Sequence, residues 1–279
     1  MPLGDSLTWG WDSNTADENP SPGDGTGGYR TELYMALGAQ GVNVNYIGSS
    51  TANSGTLLLA KGQTAQDGYN GYRIDDIANN LAASVPGSDG VSNSGGYWLT
   101  SVASPNIILL QIGANDIEQG YDPLFTGTKG TETDAQFATD TTTRLQSLIN
   151  QIMFYDPKAT LLVDGTPELL NGGTFSDISL TYDSDVQAMV ASQYQGKGVY
   201  YVNMNAALSA VGGYLVYHND GIHLTQAGYD AMGAAWANAI LTDVDLSQFD
   251  VVPEPSTYAL FIGGVVALAG WRKLRPRKS

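Results

Sequence analysis

Residues 107–116 read Ile107-Ile108-Leu109-Leu110-Gln111-Ile112-Gly113-Ala114-Asn115-Asp116, a short apolar run that stops at a glycine and a polar turn. Ile107–Ile112 is too short for a core helix and has turn residues at its end, so it predicts a strand. Val42–Ile47, Thr160–Val163 and Val199–Val202 have the same character. Helical patterns fall between them, near Tyr29–Leu37, Arg73–Leu81, Ala135–Tyr155 and Ser184–Gln193. A last amphipathic helix is expected over Gln226–Leu241, with Thr225 as N-cap and Ala227, Met232, Ala235, Trp236, Ala239 and Ile240 on one face. Strands alternating with helices predict an α/β fold, a parallel sheet with helices on both faces. Asp12–Gly28, Gly87–Gly96 and Leu124–Thr133 are rich in glycine and small polar residues and read as loops over the strand ends.

Composition narrows the class of partner. Hydrophobic residues make up 42% of the 279 and charged residues 14%, the balance of a globular chain with a sizeable core. The formal net charge is −16, and five of the 12 basic residues lie at the C-terminus (Arg272, Lys273, Arg275, Arg277 and Lys278). The rest of the chain is therefore more acidic still. Such a surface repels phosphate backbones, anionic membranes and polyuronates, which argues against nucleic acid and is compatible with neutral substrates. The absence of cysteine excludes disulfides, thiolate catalysis and Cys-ligated zinc. No G-x-S-x-G elbow, P-loop or dinucleotide fingerprint occurs, and Asp12-x-Asn14 lacks the later ligands of a calcium loop. No cofactor and no metal are expected.

The two ends differ from the body. Met1-Pro2-Leu3 runs straight into Gly4-Asp5-Ser6, leaving no room for a signal peptide or a full first strand, so the first strand is expected to be truncated. A late start codon or a trimmed N-terminus would explain it. At the other end Val252-Pro253-Glu254-Pro255-Ser256 is followed by an apolar run, Tyr258 to Trp271, and then the basic cluster. The run is shorter than the roughly 20 residues that cross a bilayer comfortably. The basic end should stay cytoplasmic, which places residues 1–250 outside.

Three segments carry candidate chemistry. Gly4-Asp5-Ser6-Leu7 sits where a first strand would end, and a glycine there permits a sharp turn at the sheet's carboxyl edge. Ser6 is a candidate nucleophile, provided a base takes its proton. Asp220-Gly221-Ile222-His223 supplies such a base. An acid three residues before a histidine can hold Nδ1–H and turn Nε2 toward the serine. His218, with no acid at that spacing, reads as a loop residue. Asn115 can aim its amide at an oxyanion, and the turn Gly68-Tyr69-Asn70-Gly71-Tyr72-Arg73 could add a backbone N–H. Each segment alone is also ordinary turn composition.

Together they resemble the SGNH (GDSL) hydrolase family, whose blocks contribute Ser, Gly, Asn and His in that chain order, here Ser6, Gly71, Asn115 and His223, with Asp220 completing a triad. The resemblance implies a flavodoxin-like α/β/α sandwich with five parallel strands. It also implies an oxyanion hole from the N–H groups of Ser6 and Gly71 and the Asn115 side chain, with Gly68 competing for the glycine's place. In detail the chain is similar to the acetylxylan-esterase-like carbohydrate esterases through Pro2-Leu3-Gly4-Asp5-Ser6, Gly28-Tyr29-Arg30, Val44-Asn45-Tyr46-Ile47-Gly48-Ser49, Asp67–Tyr72 and Asp220–His223. That implies a serine esterase removing O-acetyl groups from polysaccharide, with Trp9, Trp11, Tyr69 and Tyr72 as candidates for sugar stacking. A lipase, thioesterase or lysophospholipase of the same fold, or an inactive glycan-binding protein, would carry the same blocks. The tail, residues 251–279, resembles a PEP-CTERM sorting signal. This implies export, transient membrane contact and removal of the tail by an exosortase-type transpeptidase; the alternative is a permanent C-terminal anchor, and either way the body is exported.

Overall fold

The computed structural model describes residues 1–12, 25–84, 96–100, 104–120 and 129–249. The tail, and most of the three expected loops, lie outside the described residues.

Five parallel strands form one sheet in the order β2-β1-β3-β4-β5. They are β1 (Pro2–Gly4), β2 (Asp67–Gly68), β3 (Ile107–Gln111), β4 (Thr160–Asp164) and β5 (Val199–Tyr201). This is the flavodoxin-like arrangement, in which the strand order reverses beside β1 and opens a crevice at the carboxyl edge. The strands alternate between two cores. Ile108, Leu110, Leu161 and Val163 face one; Leu109 and Leu162 face the other. A strand apolar on both faces needs cover on both sides, and the helices provide it. On the first side lie α4 (Ile74–Asn80), α5 (Ala114–Gln119), α6 (Asp134–Tyr155) and α7 (Gly173–Gln193); on the second lie α2 (Tyr29–Ala39), α8 (Met204–Val211) and α9 (Gln226–Asp243). Two short helices, α1 (Ser6–Trp9) and α3 (Gly55–Ala60), complete the set.

Three of the four strands expected from apolar runs form as read. Val42–Ile47 does not. Its alternation is strand-like, with Tyr46 buried and Asn43 and Asn45 exposed, but its backbone joins no ladder. The Tyr46 N–H donates to Gln63 Oε1, and the place beside β1 is taken by Asp67–Gly68, in register with Leu3 and Gly4. Between the 42–47 segment and the start of β3 lies a cavity of about 520 Å³, walled by Met1, Val42, Val44, Ile107, Leu246 and Phe249. β1 itself is short, three residues against five in β3.

Helix boundaries differ where propensity and capping compete. α7 begins 11 residues before the expected Ser184, because Ile178, Tyr182 and Val186 carry a buried stripe through a segment of weak helix formers. Arg73 is the N-cap of α4, and the Asp76 carboxylate accepts from its N–H. Thr225 does occupy the N-cap of α9, but its hydroxyl donates to Val216 O instead of capping the helix. The buried stripe of α9 is Tyr229, Met232, Trp236 and Ile240, while Ala227 is exposed.

Candidate active site

The carboxyl ends of β1 and β3 bring the first two segments together. Gly4 pairs with Gln111 across the ladder, so the residues following each strand emerge side by side. The contact is too close for a side chain. A Cβ on Gly4 would lie 2.0 Å from Gln111 O and 2.5 Å from Thr8 Oγ1. Glycine is needed here for close approach, and not for the sharp turn expected from sequence, since Gly4 keeps strand geometry. The turn is made by Asp5, which adopts an extended conformation and accepts the Leu7 N–H at 2.9 Å as N-cap of α1. Ser6 is thereby the first residue of α1, and its N–H has no acceptor within the helix.

The histidine arrives on a loop between the short helical turn Gly213–Val216 and α9. Tyr217 and Leu224 form an antiparallel bridge at its base, and the His218 N–H donates to His223 O at 2.8 Å. Gly221 takes φ +71° at the tip, where a Cβ would meet Asn171 N at 2.6 Å. That lets the loop press on the 170–171 backbone, with Leu170 N–H donating to Gly221 O at 2.7 Å.

Ser6, His223 and Asp220 form one line of hydrogen bonds. Ser6 Oγ lies 2.8 Å from His223 Nε2, and His223 Nδ1 lies 2.9 Å from Asp220 Oδ2. The other carboxylate oxygen, Oδ1, accepts the N–H groups of Ile222 and His223, each at 2.9 Å. Burial opposes charge on Asp220, yet these N–H donors and the imidazole outweigh it and hold its pKa below the ordinary carboxylate value. An ionised carboxylate only accepts, so Nδ1 carries the proton and Nε2 presents its lone pair to the serine hydroxyl. Burial lowers the His223 pKa, with Asp220 pulling the other way. A neutral imidazole poised to accept a proton results.

Asn115 and Gly71 sit beside each other. Asn115 Nδ2 donates to Tyr72 O at 3.0 Å, and Gln119 Nε2 bridges Gly71 O and Asn115 Oδ1, each at 3.3 Å. Asp116, buried, locks this pair of turns by accepting the Ile74 N–H at 3.0 Å and Arg144 Nη1 at 2.7 Å. The competing Gly68 is a strand residue whose N–H donates to Gln66 Oε1.

Two contacts at the site were not legible in the sequence. Trp11, expected only as a candidate for sugar stacking, lays its ring on the His223 imidazole, with centroids 4.2 Å apart and planes tilted by 38°. His218 is a loop residue, as read, but Asp12 approaches its Nε2 to 3.1 Å from the far end of the chain. This is an electrostatic contact outside hydrogen-bonding geometry. No local spacing reports either pair. Of the aromatic residues considered for sugar stacking, Trp9 and Tyr72 are buried at 4% and 1% exposure and pack in the interior. Tyr69 stacks between Tyr72 and Trp98. Among the described residues, no group of three or more His, Cys, Asp or Glu side chains could hold a metal ion. No helix of the described residues is long and apolar enough to cross a membrane.

With this geometry in view, residues 1–236 match the family model of the GDSL-like lipase/acylhydrolases. The chain belongs to that family. The family is described as one of lipases and acylhydrolases, enzymes that hydrolyse acyl esters. A multidomain esterase of Ruminococcus flavefaciens is 28% identical over 248 residues, 86% of this chain and 28% of the relative, so the chain spans under a third of that curated relative's length. A family 3 carbohydrate esterase of Clostridium thermocellum superposes with a TM-score of 0.59 at 24% identity, covering 86% of this GDSL-family chain and 94% of that one. A serine-to-alanine variant of an acetyl esterase, solved with an acetate ion, gives 0.58 at 16% identity with the same coverages. A family 3 carbohydrate esterase of Talaromyces cellulolyticus gives 0.53 at 16%, again covering 86% and 94%. At these identities the solved structures establish the flavodoxin-like fold.

Proposed function

We propose that this GDSL-family chain is a serine carboxylester hydrolase that removes O-acetyl groups from polysaccharide. The observation that carries the chemistry is the continuous line from Ser6 Oγ through the His223 ring to Asp220. In the first step Ser6 Oγ bonds to the ester carbonyl carbon as its proton moves to His223 Nε2 and the carbonyl π pair moves onto oxygen. The oxyanion is received by the N–H groups of Ser6 and Gly71 and the amide of Asn115. Asp220 holds the imidazolium. Collapse breaks the C–O bond to the sugar, whose oxygen takes the proton from His223. Water then gives a proton to His223 as it attacks the acyl-enzyme carbonyl; the second intermediate expels Ser6 Oγ, which takes that proton back from His223, and the acetic acid formed leaves and ionises to acetate. No step calls for a cofactor or metal.

The acetyl-glycan assignment draws on the descriptions of the relatives, a multidomain esterase and family 3 carbohydrate esterases, and on a strongly acidic body suited to neutral substrates. Acetate release from acetylated xylan, compared with hydrolysis of long-chain p-nitrophenyl esters, tests it. Acetate release with poor turnover of long acyl chains supports the assignment; the reverse preference makes the protein a lipase, and glycan binding with no acyl release makes it a binding protein.

The order Pro-Glu-Pro, apolar run, basic cluster over residues 251–279 supports export with a removable C-terminal segment. Under this reading the tail touches the inner membrane only until an exosortase-type enzyme cuts it, and the hydrolase domain works at the cell surface or beyond. The intact mass of the protein recovered from the native host tests it: loss of the tail is expected, and retention of residues 251–279 would overturn it.

A further inference from the structure

Trp11 is fixed before its ring reaches His223. Its N–H donates to Ser6 O at 3.0 Å, and its carbonyl accepts the Tyr229 hydroxyl at 2.7 Å. The Trp11 backbone is therefore pinned to the serine turn on one side and to α9 on the other. From that anchor its ring lies against the imidazole, at 4.2 Å between centroids. A ring face at that distance attracts a cation through its quadrupole, and attracts a neutral imidazole far less. The proposed reaction creates that cation each time His223 takes a proton.

We propose that Trp11 is a positioning residue that stabilises the His223 imidazolium by a cation–π contact and holds the ring in line between Ser6 and Asp220. This rests on the serine-hydrolase reading above and deepens it. The charged and titratable groups around the imidazole leave this contribution distinct. Asp220 supplies the negative charge from the same loop, and His218, also on that loop, opposes protonation. Asp12 faces His218 from the segment following Trp11. Glu118 on α5 accepts from Asn171 Nδ2, and the Tyr229 hydroxyl on α9 donates to Trp11 O; each also interacts with the Asp220 charge. Trp11 is the one aromatic face against the imidazole among the described residues.

The test separates an aromatic face from simple apolar cover. Trp11→Phe keeps a ring, whereas Trp11→Leu keeps bulk and cover but no quadrupole. In Trp11→Leu the acid limb of kcat/KM for p-nitrophenyl acetate is expected to move to lower pH by about half to one and a half units. kcat should fall roughly 2- to 10-fold with KM within about twofold, and Trp11→Phe should recover most of both. NMR titration of the His223 ring reads the same shift without turnover, so it stands even if the choice of substrate, or the reading as an esterase, is wrong. An unmoved His223 titration in Trp11→Leu, or a Phe variant no better than Leu, would overturn the proposal. A rise in KM with an unchanged acid limb would also overturn it, making Trp11 a wall of the acyl pocket.

Discussion

Ser6 Oγ and His223 Nε2 stand 2.8 Å apart although 217 positions separate them in the chain. The contact exists because β1 ends at the sheet's carboxyl edge and the loop before α9 folds back over that same edge. Replacing the hydroxyl removes the nucleophile and leaves the fold alone. Ser6→Ala should reduce p-nitrophenyl acetate hydrolysis by a factor on the order of 10⁴ or more, with an unchanged melting temperature.

Asp220 acts on the same histidine from behind. Asp220→Asn keeps an oxygen for the backbone N–H groups of Ile222 and His223 but can present an NH2 to Nδ1, which favours the wrong tautomer. kcat should drop about 10²- to 10⁴-fold, with KM little changed. Steady-state kinetics at neutral pH check this, and a loss expressed mainly in KM would count against the role.

Asn115 is expected to matter only once charge develops on the substrate oxygen. Asn115→Ala should lower kcat by about 10²- to 10³-fold while KM stays within a few-fold. The variant also loses the bond to Tyr72 O, so its melting temperature should be recorded alongside.

Stability should fall as pH rises from about 4 to about 7. Burial pushes the carboxyl groups of Asp5 and Asp67 up to about 7 and that of Asp116 to about 6, and raises Asp164 well above its ordinary value. In this window the folded chain holds more protons on these acids than the unfolded chain, whose carboxyls titrate near about 4. Protonation therefore favours folding. Asp220 and His223, both lowered, work in the opposite direction but are outnumbered. A melting temperature higher at pH 5 than at pH 7 is the expected result.

Gly4 offers a structural check on the meeting of β1 and β3. Its Cβ would strike the backbone oxygen of Gln111, which belongs to the ladder and cannot swing aside. Gly4→Ala should cost about 1–3 kcal/mol or more and displace Ser6. Denaturant melts read the first effect and residual activity the second.

Much of this architecture was legible because parallel strands buried on both faces leave short, nearly continuous apolar runs, as in Ile107–Ile112 and Thr160–Val163. Val42–Ile47 shows the limit of that signal. Its alternation is real, but a ladder needs a partner, and Asp67–Gly68, two residues with no apolar pattern, holds the place beside β1. Ser6, Asp220 and His223 were readable from local spacing and a shared family order, since Asp220 reaches His223 within one turn. Nothing in the local sequence distinguishes Gly68 from Gly71; in the structure the Gly68 N–H is directed at Gln66. Trp11 over His223, and Asp12 beside His218, join the two ends of the chain, and no window of sequence contains both partners.

The most direct test of the account is covalent trapping. A p-nitrophenyl phosphonate ester should inactivate the enzyme with one adduct per chain, and peptide mass spectrometry should place it on Ser6. The His223→Ala variant should label far more slowly. An adduct on another residue, or full inactivation with Ser6 unmodified, would contradict the assignment of this serine and the site built around it.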